Sequence, residues 1–190
     1  MALTLPTNFK SDSQGRDTAL VPVIFIGKRE YVDTNIVIST NVNAVPTYGS
    51  LPLLLNIPSL KESIDIEKRN YKISNVTINI SNYKYEGKRF SELVEESPNL
   101  IKSLINEECR IFWTTPSAKL IFFDSSVATD EQFKQSALLI YNGKIRRYEH
   151  DDEKVSITLE DRSQSTFHKD LPLNYLGDDD SVPDKYKLKP

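Results

Sequence analysis

Cysteine occurs once in this 190-residue chain, as Cys109, so neither an internal disulfide nor a cysteine metal cluster can be built from it. Histidine is nearly as scarce: His150 and His168 are the only two, without the spacing of a zinc site. The six glycines are scattered, and neither G-x-G-x-x-G nor G-x-x-x-x-G-K occurs, which excludes the common phosphate-cradling loops. G-x-S-x-G is missing as well, so no serine sits in a hydrolase nucleophile elbow. Long hydrophobic runs are absent; "ALVPVIFI", "LPLLL" and "ALLIY" all fall far short of the roughly 20 apolar residues of a membrane-spanning helix. The opening stretch, "MALTLPTNFKSDSQGRDTALVPV", lacks the basic start and apolar core of a signal peptide. The expectation is a soluble protein, not exported by that route, with no membrane span, catalytic residue, metal or cofactor.

Basic excess is also lacking. The net charge is −3, whereas a nucleic-acid binder usually carries a basic excess or face, so direct readout of a nucleic-acid sequence is not expected. Lys144, Arg146 and Arg147 form the strongest basic cluster, but Glu149, Asp151, Asp152 and Glu153 follow at once. Such a mixture suits the exposed side of a ribbon. Hydrophobic residues make up 38% of the chain, below the usual share, which fits a modest core and surfaces that partners cover.

What the chain does contain is alternation of period two. In "ALLIYNGKIRRYEHDDEKVSITLEDRS", Val155, Ile157 and Leu159 alternate with Ser156, Thr158 and Glu160, as in a half-buried strand. Asn142-Gly143 is a strong two-residue hairpin signal. The lengths match better if His150–Glu153 is the turn, with a long strand Ala137–Glu149 pairing with Lys154–Asp161 and Gly143 marking a bulge or bend. "ALVPVIFIG" reads as a continuous apolar strand, with Pro22 implying an edge position or a strand start. "YVDTNIVIST" reads as the next strand, and residues Asn41–Leu60, with Pro46, Pro52 and Pro58, as a long crossing segment. A second hairpin is expected from Ile64 and Ile66 to Val76, Ile78 and Ile80, turning at Lys68–Asn70. Ser97-Pro98 opens the best helix signal, with Leu100, Ile101, Leu104 and Ile105 on one face. "CRIFWTTPSAKLIFFDS" returns to strand around a turn at Thr115-Pro116-Ser117.

The fold class predicted is mainly β: barrel-like or strongly bent antiparallel sheets built from hairpins, about seven or eight strands, with one short helix. Its organisation is an extended N-terminal arm over 1–18, a β-barrel-like domain over 19–170 with the helix near 98–106, and an extended C-terminal arm over 171–190. Both arms lack a periodic apolar face and would be ordered by neighbours.

Chemistry is hard to find. Cys109 begins the apolar strand "CRIFW", where a small buried hydrophobe is the usual role. His150 stands among Asp151, Asp152 and Glu153, but consecutive carboxylates at a hairpin tip diverge, and hard cations need more oxygens from spaced positions. The run Gly177–Pro183 lacks calcium-loop spacing and reads as a solvated linker. Asn75–Thr77 and Asn79–Ser81 match glycosylation acceptors, yet read as the polar face of a strand. Asp124, Glu149, Glu160 and Asp161 offer carboxylates of the kind glycosidases pair, although acids at strand ends are usually solvated or ion-paired. The tyrosines in or beside the hairpins, among them Tyr71 and Tyr141, suit either core packing or interfaces. Tyr83, Tyr85, Arg146, Arg147 and Tyr148 are the candidate subunit-interface residues.

Three stretches together resemble a known family. "MALTLPTNFKSDSQGRDTALVPVIFIG", "SLKESIDIEKRNYKISNVTINISNYKYEGKRFSE" and "LLIYNGKIRRYEHDDEKVSITLEDRSQSTFHKDLPL" are similar to the N-terminal region of tail hub or baseplate hub-like virion structural proteins of marine tailed bacteriophages. The resemblance implies a tail component that forms rings around the tail axis, contacting copies of itself and other tail or baseplate proteins. It transfers no catalytic residue. It also implies a location in the virion tail after synthesis in the host cytoplasm. Such proteins are often longer, so the chain is either a short member or a portion of a larger protein. A host-surface or glycan-binding module using Trp113 and exposed tyrosines is the second expectation, and a hydrolase the third.

Overall fold

The computed structural model describes residues 5–16, 18–27, 36–46, 49–57, 63–65, 70–72, 75–96, 104–121 and 129–161. Its elements run α1 (Thr7–Ser13), β1 (Val21–Ile26), β2 (Ile36–Ser39), β3 (Leu54–Asn56), β4 (Ser63–Asp65), β5 (Asn70–Lys72), β6 (Val76–Ser81), α2 (Phe90–Glu96), β7 (Glu108–Thr114), α3 (Asp130–Lys134), β8 (Leu138–His150) and β9 (Lys154–Asp161). The chain is therefore mainly β. Seven strands form one antiparallel sheet in the order β2-β1-β7-β8-β9-β6-β3, and β4 and β5 pair separately.

Burial explains the sequence pattern of each strand. In β1, Ile24 and Ile26 enter one apolar cluster, whereas Val23 and Phe25 enter another on the opposite face. Being covered on both faces, β1 reads as a continuous apolar run. Pro22 is a strand-start residue: the ladder to β2 begins after it, at Val23↔Ser39, and β1 lies between β2 and β7, not at an edge. In β9, Val155, Ile157 and Leu159 enter the first cluster and the alternate residues face outward. Every strand of the large sheet adds at least one side chain to that cluster, and Phe90 of α2, fully buried, closes over it.

The ladder itself is open, with β2 and β3 at its edges. Between these edges runs a short connection. Leu51 makes an isolated parallel bridge to Ile38: its carbonyl accepts from Ser39 N at 2.9 Å and its N–H donates to Val37 O at 2.9 Å. Two residues on, Leu53 O accepts from Ser81 N at 2.7 Å, and Leu54 pairs with Ile80 of β6.

Several expectations are corrected. Residues 7–13 are not extended but form α1, which places Phe9 in a buried site and docks on the turn after β7. Seven residues are too few for a self-supporting helix or a readable period, so tertiary contacts create it. Asp12 Oδ2 accepts from Ser117 N at 3.0 Å and from Ser117 Oγ at 2.5 Å, and Asn8 Nδ2 donates to Ser117 O at 3.2 Å. Of the helix expected near 98–106, residues 97–103 lie outside the described ones, while Leu104–Asn106 form a turn with Asn106 at φ 69°. The helix over the first cluster is α2, which begins eight residues upstream of the expected start. The second hairpin also differs: β4 pairs with β5, so Asn70 is in a strand, and Val76–Ser81 belongs to the large sheet beside β9. Residues 162–190, including the expected C-terminal arm, lie outside the described residues.

The long ribbon exists, turning after His150, but Gly143 is not its bulge. The register breaks fall between Ile111 and Phe112 opposite Tyr141 and Leu139, and between Ile145 and Arg147 opposite β9. Ile140 and Arg146 are thus the extra residues, three positions to either side of Gly143.

Candidate interaction surface

The outward face of β6, β9 and β8 is built from the polar half of their alternation. Cross-strand rows align Thr77 with Thr158 and Arg147, and Asn79 with Ser156 and Glu149. The hydroxyls of Thr77 and Thr158 lie 3.3 Å apart, and Ser156 Oγ donates to Asn79 Oδ1 at 3.1 Å. These bonds tie side chains across strands and hold the face in one arrangement.

The bulge at Arg146 decides the charge of this face. Tyr141, Gly143 and Ile145 point inward at period two, and strict alternation would send Arg147 inward as well. One extra residue resets the phase, so Arg146 and Arg147 both face solvent and Tyr148 returns to the core side. Arg146 pairs through Nε with Glu160, and Arg147 with Glu149. Their side chains are nonetheless 60% and 69% exposed.

The ribbon ends in a tip fastened to α2. Asp151 accepts from the backbone N–H groups of Glu153 at 2.9 Å and Lys154 at 2.7 Å. These donors hold its carboxyl below the usual carboxylate range. Asn82, 1% exposed, is the fastener: its N donates to Glu153 O at 2.8 Å, its Nδ2 to Asp151 O at 2.6 Å, and its Oδ1 accepts from Ser91 N at 3.1 Å. Arg89 adds a 2.6 Å ion pair from Nη1 to Asp152. Glu153 raises the pKa of the neighbouring Tyr83 phenol, through its charge first and a hydrogen bond second.

The five candidate interface residues divide between two environments. Tyr83, 61% exposed, and the two arginines stand on the surface. Tyr85 and Tyr148 are half-buried and pack against the first cluster, with the Tyr148 ring 5.4 Å from that of His150. Sequence reading missed Asn82 and Arg89. The only available signal was the end of the β6 alternation at Ser81, which marks a strand end and not a clamp.

The chemical candidates do not converge. Cys109 is fully buried, and desolvation pushes its thiol far up, which suits a packing residue. No three side chains among His, Cys, Asp and Glu gather as a metal site would require among the described residues. Glu160 lies opposite Lys144, and Glu149 is five positions further along β8. That is roughly 15 Å of strand, beyond the ~5–9.5 Å separation of glycosidase carboxyl pairs. Asp124, His168 and Gly177–Pro183 lie outside the described residues. Trp113 pairs with Leu138 at one end of β8, while Tyr83 adjoins the tip beyond His150. The 13-residue strand between them measures roughly 40 Å, so they share no aromatic platform. No described helix is long and apolar enough to cross a membrane. No protein-family model matches the chain, and no curated protein matches it significantly.

Proposed function

We propose that this protein is a structural component of a bacteriophage tail, hub-like or baseplate hub-like, that works by packing against copies of itself and other tail proteins around the tail axis. It needs no cofactor for this role and is not an enzyme. The observation that carries the proposal is the division of the β6–β9–β8 layer: one face is spent on the apolar cluster, and the other is a polar, half-buried to exposed face tied by cross-strand hydrogen bonds, without converging chemistry. A surface of that kind acts through contact. The sequence resemblance to tail hub proteins points the same way.

The sheet is proposed to curl into a barrel-like body suited to ring packing. Seven strands laid flat would separate the outer two by roughly 29 Å. Leu51 bonds to the edge strand β2 and Leu54 begins the edge strand β3, and three residues of chain span at most about 10 Å. Curvature of the whole sheet is what reconciles these lengths, and the bulges at Ile140 and Arg146 supply bends of the required kind.

Sedimentation velocity of the purified protein over a range of concentrations, with electron microscopy of the largest species, tests the proposal. A discrete closed oligomer is expected. A monomer throughout, even at high concentration, would contradict it.

A further inference from the structure

Self-assembly around a tail axis requires two surfaces that meet, and the bulged ribbon carries a complementary pair. Resting on that assembly reading, we infer that a second copy of this chain docks its acidic ribbon tip on the basic outward face made by Lys144, Arg146 and Arg147.

The basic face exists because of the bulge. Without Arg146 as an extra residue, the two arginines would point to opposite sides of β8. With it they stand together, beside the exposed Lys144. Glu160 and Glu149 each engage one arginine of this patch, and Glu108, the neighbour of Lys144 across the β7–β8 ladder, engages the buried Arg110. A guanidinium carries five N–H donors in a planar fork, so a single carboxylate leaves donors for another chain. With Arg110 counted beside Lys144, Arg146 and Arg147, four cations stand against three carboxylates and leave the patch positive.

The tip has the opposite balance. Asp151, Asp152 and Glu153 stand against Arg89 and Lys154. Asp151 is committed to the turn, but the Asp152 side chain is 90% exposed even while paired with Arg89. Tyr83 provides an exposed aromatic anchor next to Glu153, at the same end. Asn82 fixes this tip to α2, so little ordering is lost when it docks. Different patches meet in such a contact, and a contact of this type repeats around a ring when its rotation closes.

Charge exchange tests the inference. One variant carries Arg146→Glu and Arg147→Glu, the other Asp152→Lys and Glu153→Lys; Asp151 is left intact because it holds the turn. Each variant alone should self-associate about tenfold more weakly or worse, and an equimolar mixture of the two should regain association. Arg146→Gln with Arg147→Gln removes the charge without adding repulsion and serves if the reversed pair does not fold. Wild-type association should weaken between low and high salt. If wild type assembles but both single-sided variants assemble equally well, or the mixture gains nothing, this docking mode is wrong and the assembly reading survives. A wild-type chain that remains monomeric would remove both.

Discussion

Gly143 and Glu160 approach so closely across the β8–β9 ladder that a Cβ on Gly143 would collide with the Glu160 carbonyl oxygen; it would also lie 2.7 Å from Cε1 of Tyr141. Glycine normally weakens a strand relative to alanine, so the sign of a substitution here is informative. Gly143→Ala should destabilise the protein by about 1–3 kcal/mol, as overpacking of a close-packed site does. Urea unfolding followed by intrinsic fluorescence checks this. A neutral or stabilising effect would mean that the two strands separate easily at this point.

Asn82 predicts a different kind of loss. Asn82→Ala leaves Asp151 O and Ser91 N without their side-chain partners in a partly buried place. A cost of about 1–3 kcal/mol is expected. Hydrogen exchange should quicken at the ribbon turn and the first turn of α2, while the centre of β9 stays protected. Uniform acceleration throughout the sheet would argue against a local clamp.

The large sheet was legible because "VSITLE" and "VTINIS" carry uninterrupted alternation, and because Lys154–Asp161 required a partner of matching length. Gly143 misled for a physical reason: a bulge and a close backbone approach both select glycine, and the letter is the same. The informative spacing was Ile145 to Tyr148, two inward residues three positions apart, which period two cannot satisfy without an extra residue. The helices α1 and α3 were missed because seven and five residues cannot display a helical period. At α3 the capping box of Thr129 with Gln132 was the readable mark. The basic pair of the candidate surface stood out in the sequence; its shared face did not, since that depends on the bulge.

Acid should weaken the docking of α1 and the ribbon turn. Hydrogen bonding, chiefly by the Ser117 hydroxyl, lowers the pKa of Asp12, and backbone donors lower that of Asp151. A depressed folded-state pKa contributes stability that is complete above the unfolded value, about 3.9, and is lost as pH falls through the lowered one. Stability should therefore decline below about pH 4. Asp12→Asn and Asp151→Asn should each reduce that decline, measured as the change in unfolding midpoint between pH 5 and pH 3. An unchanged pH dependence in both variants would contradict these assignments.

Cys109 offers a probe of opening. It is fully buried between Ile26 and Gly143 in the ladder, with its thiol pKa raised by desolvation. Its reaction with a thiol reagent at pH 8 should be slow in the native protein and fast in denaturant. Rapid modification under native conditions would show that β1, β7 and β8 part readily.

Labelling virions tests most directly whether the protein works in a phage tail. Tailed particles from a lysate in which this chain is produced would be incubated with antibodies against it and viewed by electron microscopy. Label concentrated on the tail is expected, with the chain recovered from purified particles in stoichiometric amounts. Particles without label and without the chain, while the protein remains free in the lysate, would contradict it.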